Sequence, residues 1–467
     1  MTTPRIGSLS ADAKRDLLAD LIRRKMQRWP NGETPSGSKA ILTQALVEDY
    51  RRQFPALDGK TYFNYGAHGT LPRPAIDAVL ESWEYMQKWG PFSAEINDWA
   101  QQEVTKTIAC LATLLVATPE TIALTENATA GCNVVLWGLE WREGDHILIS
   151  DCENPGIVAA IQEVARRFRL QVSTFRVDAS GADDSESATT ESLARGLRSN
   201  TRLVVISHVL WNTGQVLPLT KVSELCRANR TTQHRTLLLV DGAQSVGVLP
   251  LNLARSGADF YAFTSHKWLC GPEGVGGLFV APESLEFVQP AFVGWRSVKI
   301  DEADGSFSWQ PGAKRFHVST PAYPLFAGWR RAISIHDDFA PIQERYDRIR
   351  ELSRYVWERL HHSHVDCLQQ SPPETGLVTI RSKSNPPHKI VRYLETQNCY
   401  TRSMYDPECI RLSLHYFTTH HELDRLIDLL QDYEQRKPAK LLEEMRNGNS
   451  NAYQADVRED LQTRRTA

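Results

Sequence analysis

No two of the eight cysteines are spaced as C-x-x-C: Cys110, Cys132, Cys152, Cys226, Cys270, Cys367, Cys399 and Cys409 are scattered along 467 residues. That excludes a zinc ribbon and a disulfide framework, and it fits a reducing, cytoplasmic setting. Long hydrophobic runs are missing too, since nowhere do the ~18 consecutive apolar residues of a membrane-crossing helix occur. The first 24 residues carry Asp12, Asp16 and Asp20 among their basic side chains and lack the apolar stretch of an export signal. An excess of charge of one sign is also absent. Lys and Arg number 53 against 56 Asp and Glu, a formal net charge of −3, which argues against a polybasic nucleic-acid surface and against an acidic disordered chain. What remains is an ordinary globular composition, 41% hydrophobic and 23% charged. Single cores stop growing near ~250 to 300 residues, so two folded domains are expected.

Behind Ser10, the residues Leu17, Leu18, Leu21 and Ile22 recur at helical spacing beside Lys14, Arg15, Arg23, Arg24 and Lys25, which predicts an amphipathic helix over 9–26. A stretch rich in Pro, Gly and Ser follows at 29–39, so residues 1–45 read as an appendage of helix and linker, a solvated extension or a dimer arm. Its wording, LSADAKRDLLADLIRRK, resembles the linker helices between modules of polyketide and peptide assembly lines, which implies assembly-line neighbours as partners. Residues 46–75 are assigned to a segment that packs with the smaller domain. Between 122 and 282, strand-like runs at 146–150, 171–177, 202–209, 237–241, 259–264 and 276–280 alternate with helical patterns at 155–168, 192–197 and 219–229. This is the βαβ rhythm of a mostly parallel sheet covered on both faces, an α/β domain over 76–310. From 311 to 437 the pattern changes to long helices, 323–360 and 422–436, with short strands near 376–381 and 409–415. These describe a smaller α+β domain, and the polar tail 438–467 is assigned no fold.

Active sites of such sheets lie at the carboxyl ends of the strands. The stretch FYAFTSHKWLCGPEGVGG puts Lys267 just after an apolar strand. A desolvated lysine with a depressed pKa condenses with an aldehyde, although a lone lysine after a strand is surface decoration more often than catalyst. Two upstream companions add weight. In LLLVDGAQSVG, Asp241 ends an apolar strand, where a carboxylate is costly without a cationic partner such as a protonated pyridine nitrogen. In LTENATAGCNVVLWG a strand ends at Thr125 and a helix begins near Thr129, offering backbone N–H groups and a hydroxyl to a phosphate, as an ordinary helix cap also would.

The S-x-K context of Lys267, DGAQSVG, ENATAG and CIRLSLHYFTT together resemble the class V aminotransferases, which include cysteine desulfurases, selenocysteine lyases, isopenicillin N epimerases and kynureninase. The motifs GPFSAEIN, NVVLWGLEW, SHVLWNTGQVLPL, DGAQSVGVLPL, VGWRS, AKRFHVSTPAYP and DPECIR are similar to those of the cyanobacterial L-cysteine/cystine C–S lyases. The resemblance implies a fold type I homodimer, with a seven-stranded sheet in the large domain, and pyridoxal 5′-phosphate as cofactor. It implies Lys267 as the Schiff-base lysine and α-proton base, Asp241 as pyridinium partner, and Gln244 as donor to the ring phenolate oxygen. Ala128, Thr129 and His266 would hold the phosphate, with Thr320 reaching it from the other subunit. Arg411 would clamp the carboxylate of an amino-acid substrate, assisted by Arg402, and His68, Trp211, Asn212 and Trp295 would line the substrate pocket. The implied reaction is β-elimination from a cysteine-type substrate, with desulfurase, epimerase, aminotransferase or a non-catalytic assembly-line module as alternatives.

Two departures bear on the chemistry. In DCENPGI, Asn154 stands where these families place a histidine over the cofactor ring, and an amide neither stacks as an imidazole does nor relays protons at neutral pH. The stretch TRSMYDPECIR ahead of Arg411 lacks the loop cysteine of desulfurases, and Cys399 and Cys409 are expected in strands. His361, His362, His364 and Cys367 cluster in sequence, but such a cluster at a helix end is usually unmetallated surface, so no metal is expected. The GPEGVGG turn lacks dinucleotide spacing and opens a strand rather than a helix.

Overall fold

A computed structural model describes residues 44–435 except 183, 231–234, 302, 362 and 364. The helix expected over 9–26 and the tail at 438–467 lie outside the described residues. The described residues from Val47 onward belong to one compact unit. Its centre is a seven-stranded sheet of β1 (Ile122–Thr125), β2 (His146–Ser150), β3 (Gln171–Phe175), β4 (Thr201–Ser207), β5 (Leu237–Asp241), β6 (Phe260–Thr264) and β7 (Gly276–Val280). The spatial order is β1-β7-β6-β5-β4-β2-β3. All neighbours run parallel except β7, which is antiparallel to both β1 and β6.

Side chains of a strand alternate between faces, and here both faces are apolar. Val204, Ile206, Leu238, Val240, Tyr261 and Phe263 enter one core cluster, while Leu203, Val205, Leu237, Leu239, Phe260 and Ala262 enter another on the opposite face. Helices cover both, as continuous apolar strands require. Helices α1 (Gln44–Arg51), α2 (Arg73–Trp89), α3 (Ala94–Leu114), α4 (Ala128–Gly138), α5 (Pro155–Phe168), α6 (Ser185–Gly196) and α7 (Leu219–Ala228) precede or punctuate the sheet. The boundary expected at residue 76 falls inside α2.

The helical pattern expected at 323–360 is two helices, α8 (Tyr323–Phe339) and α9 (Ile342–His361). Pro341 separates them, lacking the N–H that a continuous helix would need. Phe326, Trp329 and Ile333 of α8 bury in the large core beside Phe263, so this helix belongs to the large body although its sequence position suggested the smaller one. The second sheet is antiparallel, in the order β8 (Val365–Cys367), β9 (Leu377–Ser382), β11 (Glu408–Ser413), β10 (Arg402–Tyr405). Helices α9, α10 (Pro387–Thr396) and α11 (His420–Gln435) pack on it through Leu352, Val356, Leu394, Leu426, Ile410 and Leu412. Phe63 of the segment before α2 joins that core, next to a short parallel pairing of Thr61–Tyr62 with Cys399–Tyr400. No helix among the described residues is long and apolar enough to cross a membrane.

Candidate functional site

The strands β4, β5 and β6 end side by side, with Ser207 opposite Asp241 and Asp241 opposite Ala262. Asp241 is buried at that edge, and its Oδ1 accepts from the Ala243 N–H at 2.9 Å. Burial raises its pKa, while Lys267 and the Ala243 N–H oppose the rise. Lys267 sits three residues beyond β6. It keeps some surface open, yet burial of the amine lowers its pKa to about 8, with Asp241 opposing the shift and Arg411 and Arg402 adding to it. The fold thus gathers amine, carboxylate and two guanidinium groups from two successive strand ends and one hairpin far along the chain.

Around them stand the other expected residues. Buried Gln244 donates from Nε2 to the Gly66 carbonyl at 2.8 Å and accepts from Trp268 Nε1 at 2.8 Å. Its oxygen accepts from Trp268, and the second N–H of its amide is what remains to donate to a phenolate oxygen. His266 has Nδ1 2.7 Å from Thr264 Oγ1, and burial, then Lys267 and His68, lowers its pKa to about 4, so it is neutral at pH 7. His68 stands 5.5 Å from the His266 ring, with Nε2 2.9 Å from Glu273 Oε1. Its neighbour Gly69 donates to the His266 carbonyl at 2.6 Å.

Helix α4 opens at Ala128, with Asn127 as cap accepting from Ala130 N at 2.8 Å. The first N–H groups of a helix have no intrahelical partner, so Ala128 and Thr129 lie where an anion is favoured. Asn154 caps α5 instead of standing free, its Oδ1 accepting from Gly156 N at 2.9 Å. Beside it the sequence reading missed Glu153. This carboxylate is buried, holds the Ser150 and Ser207 hydroxyls at 2.5 and 2.7 Å and the Ser207 N–H at 2.8 Å, and is pushed up to about 7, chiefly by burial.

On the side of the smaller sheet, β11 presents Arg411 between Thr379 of β9 and Arg402 of β10. Arg411 is 2% exposed and donates from NH1 to the Trp211 carbonyl at 2.5 Å, whereas Arg402 is exposed. Asn212 Nδ2 reaches the Asp406 carbonyl at 3.4 Å. Several buried polar atoms near Arg411 have no protein partner: Arg411 Nε, Trp211 Nε1, Asn212 Oδ1, Asn64 Oδ1 and Ser413 Oγ. Buried polar groups are almost always satisfied, so the donors Arg411 Nε and Trp211 Nε1 fit an anionic group, while the amide oxygens of Asn64 and Asn212 fit a donor such as an ammonium. The buried Asp241 carboxylate fits a cationic ring nitrogen, and Lys267 an aldehyde. The residues present suit pyridoxal 5′-phosphate and an amino acid.

Thr320 and Trp295 lie elsewhere in the chain. Thr320 is exposed and lines a cavity of about 680 Å³ with Thr125, Glu126, Ala130, Phe292 and Ser319. Trp295 is 56% exposed, with Nε1 3.3 Å from Ser319 Oγ. Lys267, Asp241 and Arg411 do not line this cavity. Cys399 and Cys409 are fully buried, and burial raises both thiols to about 12. The stretch ahead of Arg411 is the β10–β11 hairpin, whose turn is Asp406 and Pro407. His361 stacks on Trp357 at 4.5 Å, while His362 and His364 lie outside the described residues.

The chain is similar to known proteins over most of its length. Isopenicillin N epimerase of Streptomyces clavuligerus is 31% identical over 389 residues, 79% of this chain and 93% of the relative. A cysteine desulfurase of Haloferax volcanii is 26% identical, over 67% of this chain and 74% of its own. Among solved structures, the cystine C–S lyase C-DES in complex with its reaction product cysteine persulfide is 43% identical with a TM-score of 0.78, covering 81% of this chain and 99% of that one. A mutant of the same enzyme carries glycine covalently linked to its pyridoxal phosphate cofactor, at the same identity and TM-score, covering 82% of this chain and 99% of its own. The family model for aminotransferase class-V matches residues 61–426, and the chain belongs to that family.

Proposed function

We propose that this chain is a pyridoxal 5′-phosphate-dependent C–S lyase acting on cysteine-type amino acids such as cystine, thiocysteine or cysteine S-conjugates. The products are a thiol or persulfide, pyruvate and ammonia. The observation that carries this reading is the hairpin that delivers Arg411: its turn bears no thiol, and Cys399 and Cys409 are buried within strands. A desulfurase needs an exposed thiolate to take sulfur. The cofactor, when bound, supplies an electron sink for the pair left at the α-carbon. Everything else falls to the chain. Arg411 would hold the substrate carboxylate in a two-point fork, and Asp241 would pair with the cofactor's ring nitrogen. Lys267 Nζ removes the α-proton. The pair left at the α-carbon forms a double bond to the β-carbon as the bond from that carbon to sulfur breaks with its electrons on sulfur. Water then hydrolyses the released enamine, through its imine, to pyruvate and ammonia. Likeness to the cystine C–S lyase at 43% identity supports the same outcome.

A homodimer completes the reading. Exposed Thr320 and Trp295, beside exposed Phe292 and Val293, suit contact with a second copy in which Thr320 reaches the partner's phosphate site. The cysteine spacing supports a cytoplasmic setting, and the wording of residues 9–26 supports a place beside assembly-line neighbours in biosynthesis.

Borohydride reduction of the yellow holoenzyme is expected to fix the cofactor on Lys267, read by peptide mapping. Pyruvate is expected to track sulfur release one for one with L-cystine. Alanine in place of pyruvate would assign the chain to the desulfurases, and a racemised or keto-acid product to the epimerases or aminotransferases. Replacing Cys399 and Cys409 by Ala is expected to leave turnover largely intact, at a packing cost of about 1 to 2 kcal/mol in stability. Turnover abolished with the cofactor retained would refute elimination.

Lys267 also sets a pH dependence. With a pKa of about 8, lowered from the ordinary value, the free amine is charged below that pH and neutral above it. At pH 7 roughly a tenth of it is neutral, against less than about one part in a thousand for an ordinary lysine. Cofactor capture by the apoprotein is therefore expected to accelerate steeply from pH 7 to 8 and level off above 9. A rate that keeps climbing tenfold per unit to pH 10 would show an unperturbed amine.

A further inference from the structure

Beneath the Lys267 turn lies a second, fully buried group of chemically capable side chains. Ligand atoms of Cys270, His336 and His415 come within 4.8 Å of one another, the one such cluster found among the described residues. Their hydrogen bonds exclude a metal. His415 Nε2 lies 2.9 Å from the Trp268 carbonyl and His336 Nε2 3.0 Å from the Leu269 carbonyl. A carbonyl oxygen only accepts, so both Nε2 atoms carry hydrogen. The other nitrogens are taken as well. His415 Nδ1 accepts from the Tyr416 N–H at 3.1 Å, and His336 Nδ1 sits 3.0 Å from the Tyr50 hydroxyl and 2.6 Å from that of Tyr416. No imidazole lone pair remains for an ion.

These bonds do something else. The turn after β6 spends three of its carbonyls on donors from outside and one on its own backbone. The His266 carbonyl takes the Gly69 N–H at 2.6 Å, those of Trp268 and Leu269 take the two imidazoles, and the Lys267 carbonyl takes the Cys270 N–H at 3.1 Å. Cys270 itself is held at φ 48°, a region non-glycine residues rarely adopt. The donors come from distant places: His336 from α8 and His415 from the residues just after β11. Strand β11 therefore carries Arg411, and the loop that follows it carries, four residues on, the group that grips the residue next to Lys267.

We propose that His415 and His336 form a positioning clamp for Lys267, their Nε2–H groups fixing the Trp268 and Leu269 carbonyls so that the amine keeps its place between Asp241 and Arg411. The clamp rests on the reading of Lys267 as the cofactor lysine. It ties the spacing of amine and carboxylate anchor to one strand and its following loop. Charges at Asp241, Arg411 and Arg402 act on the amine, so a displaced turn changes how readily a Schiff base there holds its proton.

The test compares His415→Phe, which keeps a ring but no donor, with His415→Gln, which keeps an N–H where Nε2 stands. In the holoenzyme, the readouts are the pH midpoint of the Schiff-base absorbance and kcat and KM taken separately. His415→Phe is expected to lower kcat about tenfold or more, since small misplacements of reacting groups are costly. Its KM is expected to stay within about threefold, because Arg411 is untouched. The midpoint is expected to move by at least about half a unit. His415→Gln is expected to recover most of both. A His415→Phe enzyme with wild-type midpoint and kcat and only a lower melting temperature would overturn the clamp, as would a Gln variant no better than Phe. If His415→Phe does not fold, His336→Gln against His336→Leu applies the same criteria at Leu269. Borohydride label on another lysine of the wild type would sink the functional reading, whereas label on Lys267 with insensitive variants sinks the clamp alone.

Discussion

Arg411→Lys is expected to lower kcat/KM for a cysteine-type substrate by about 30- to 150-fold, corresponding to a loss of about 2 to 3 kcal/mol for charge-assisted hydrogen bonds. Charge is conserved in this change, so Coulombic attraction to the carboxylate is largely retained. What disappears is the planar fork, together with the 2.5 Å bond from NH1 to the Trp211 carbonyl that aims it. The loss is amplified by burial, because Arg411 is 2% exposed and Trp211 Nε1 and Asn212 Oδ1 beside it have no protein partner. A ligand carboxylate shifted by the shorter ammonium leaves the Trp211 Nε1 donor unsatisfied. The Schiff-base absorbance of Lys267 is expected to survive, since Asp241 stays and the positive charge at position 411 remains. Arg402→Lys offers the internal comparison: Arg402 is exposed, and surface charges contribute little, about 0 to 1 kcal/mol. Steady-state kinetics with intact absorbance decides the matter. A kcat/KM within threefold of wild type for Arg411→Lys would place the carboxylate elsewhere, with Arg402 the first residue to examine.

What the sequence discloses about this protein follows the range of its interactions. Strands β4, β5 and β6 are legible because VVIS, LLLV and FYAF are apolar on both faces, and the sheet buries both. The residues at their ends, Asp241 and Lys267, are legible because a charge there is costly unless used. Arg411 is legible through its motif alone, since nothing in its local pattern distinguishes a buried arginine from a surface one. The split between α8 and α9 is harder to see, because the apolar periodicity runs on through Pro341. Membership of α8 in the large core is invisible in principle, as Trp329 meets Phe263 only in three dimensions. The same holds for the support of the lysine turn. His336 and Leu269 are 67 residues apart, and His415 and Trp268 are 147 apart. CIRLSLHYFTT contains His415, yet its spelling does not reveal that the imidazole faces a carbonyl beside Lys267. Glu153 escaped for a related reason: in DCENPGI the departure at Asn154 draws attention to a residue that caps a helix, while the buried carboxylate next to it contacts Ser207 across the strand ends.

Gly69→Ala is expected to reduce kcat/KM by about 100-fold, the scale of a ~1 Å misplacement of a reacting group, although residue 69 has no functional atom beyond its backbone. A Cβ built there falls 2.0 Å from the Lys267 carbonyl oxygen, 3.1 Å from its carbon and 3.2 Å from Cys270 Cα. These are backbone atoms, so no side-chain rotation relieves the clash. Nor is the turn free to yield, because its carbonyls are taken by Gly69, His415 and His336. The methyl group must either break the 2.6 Å bond from Gly69 N to the His266 carbonyl or push Lys267 away from Asp241. Overpacking of this kind costs about 1 to 3 kcal/mol in stability, and a fall in melting temperature alone would not establish the point. Gly59→Ala supplies the control. Gly59 has φ 65° and nothing within 4 Å of its added Cβ, so alanine there meets backbone strain of about 1 to 2 kcal/mol and no collision. The two variants are expected to lose comparable stability and to part company in function. Gly59→Ala keeps the Schiff-base absorbance and kcat/KM, and Gly69→Ala shifts or loses the absorbance and falls far below it in turnover. Equal activity in both folded variants would show that the Lys267 turn moves freely and that its packing against the N-terminal segment does not set the position of the amine.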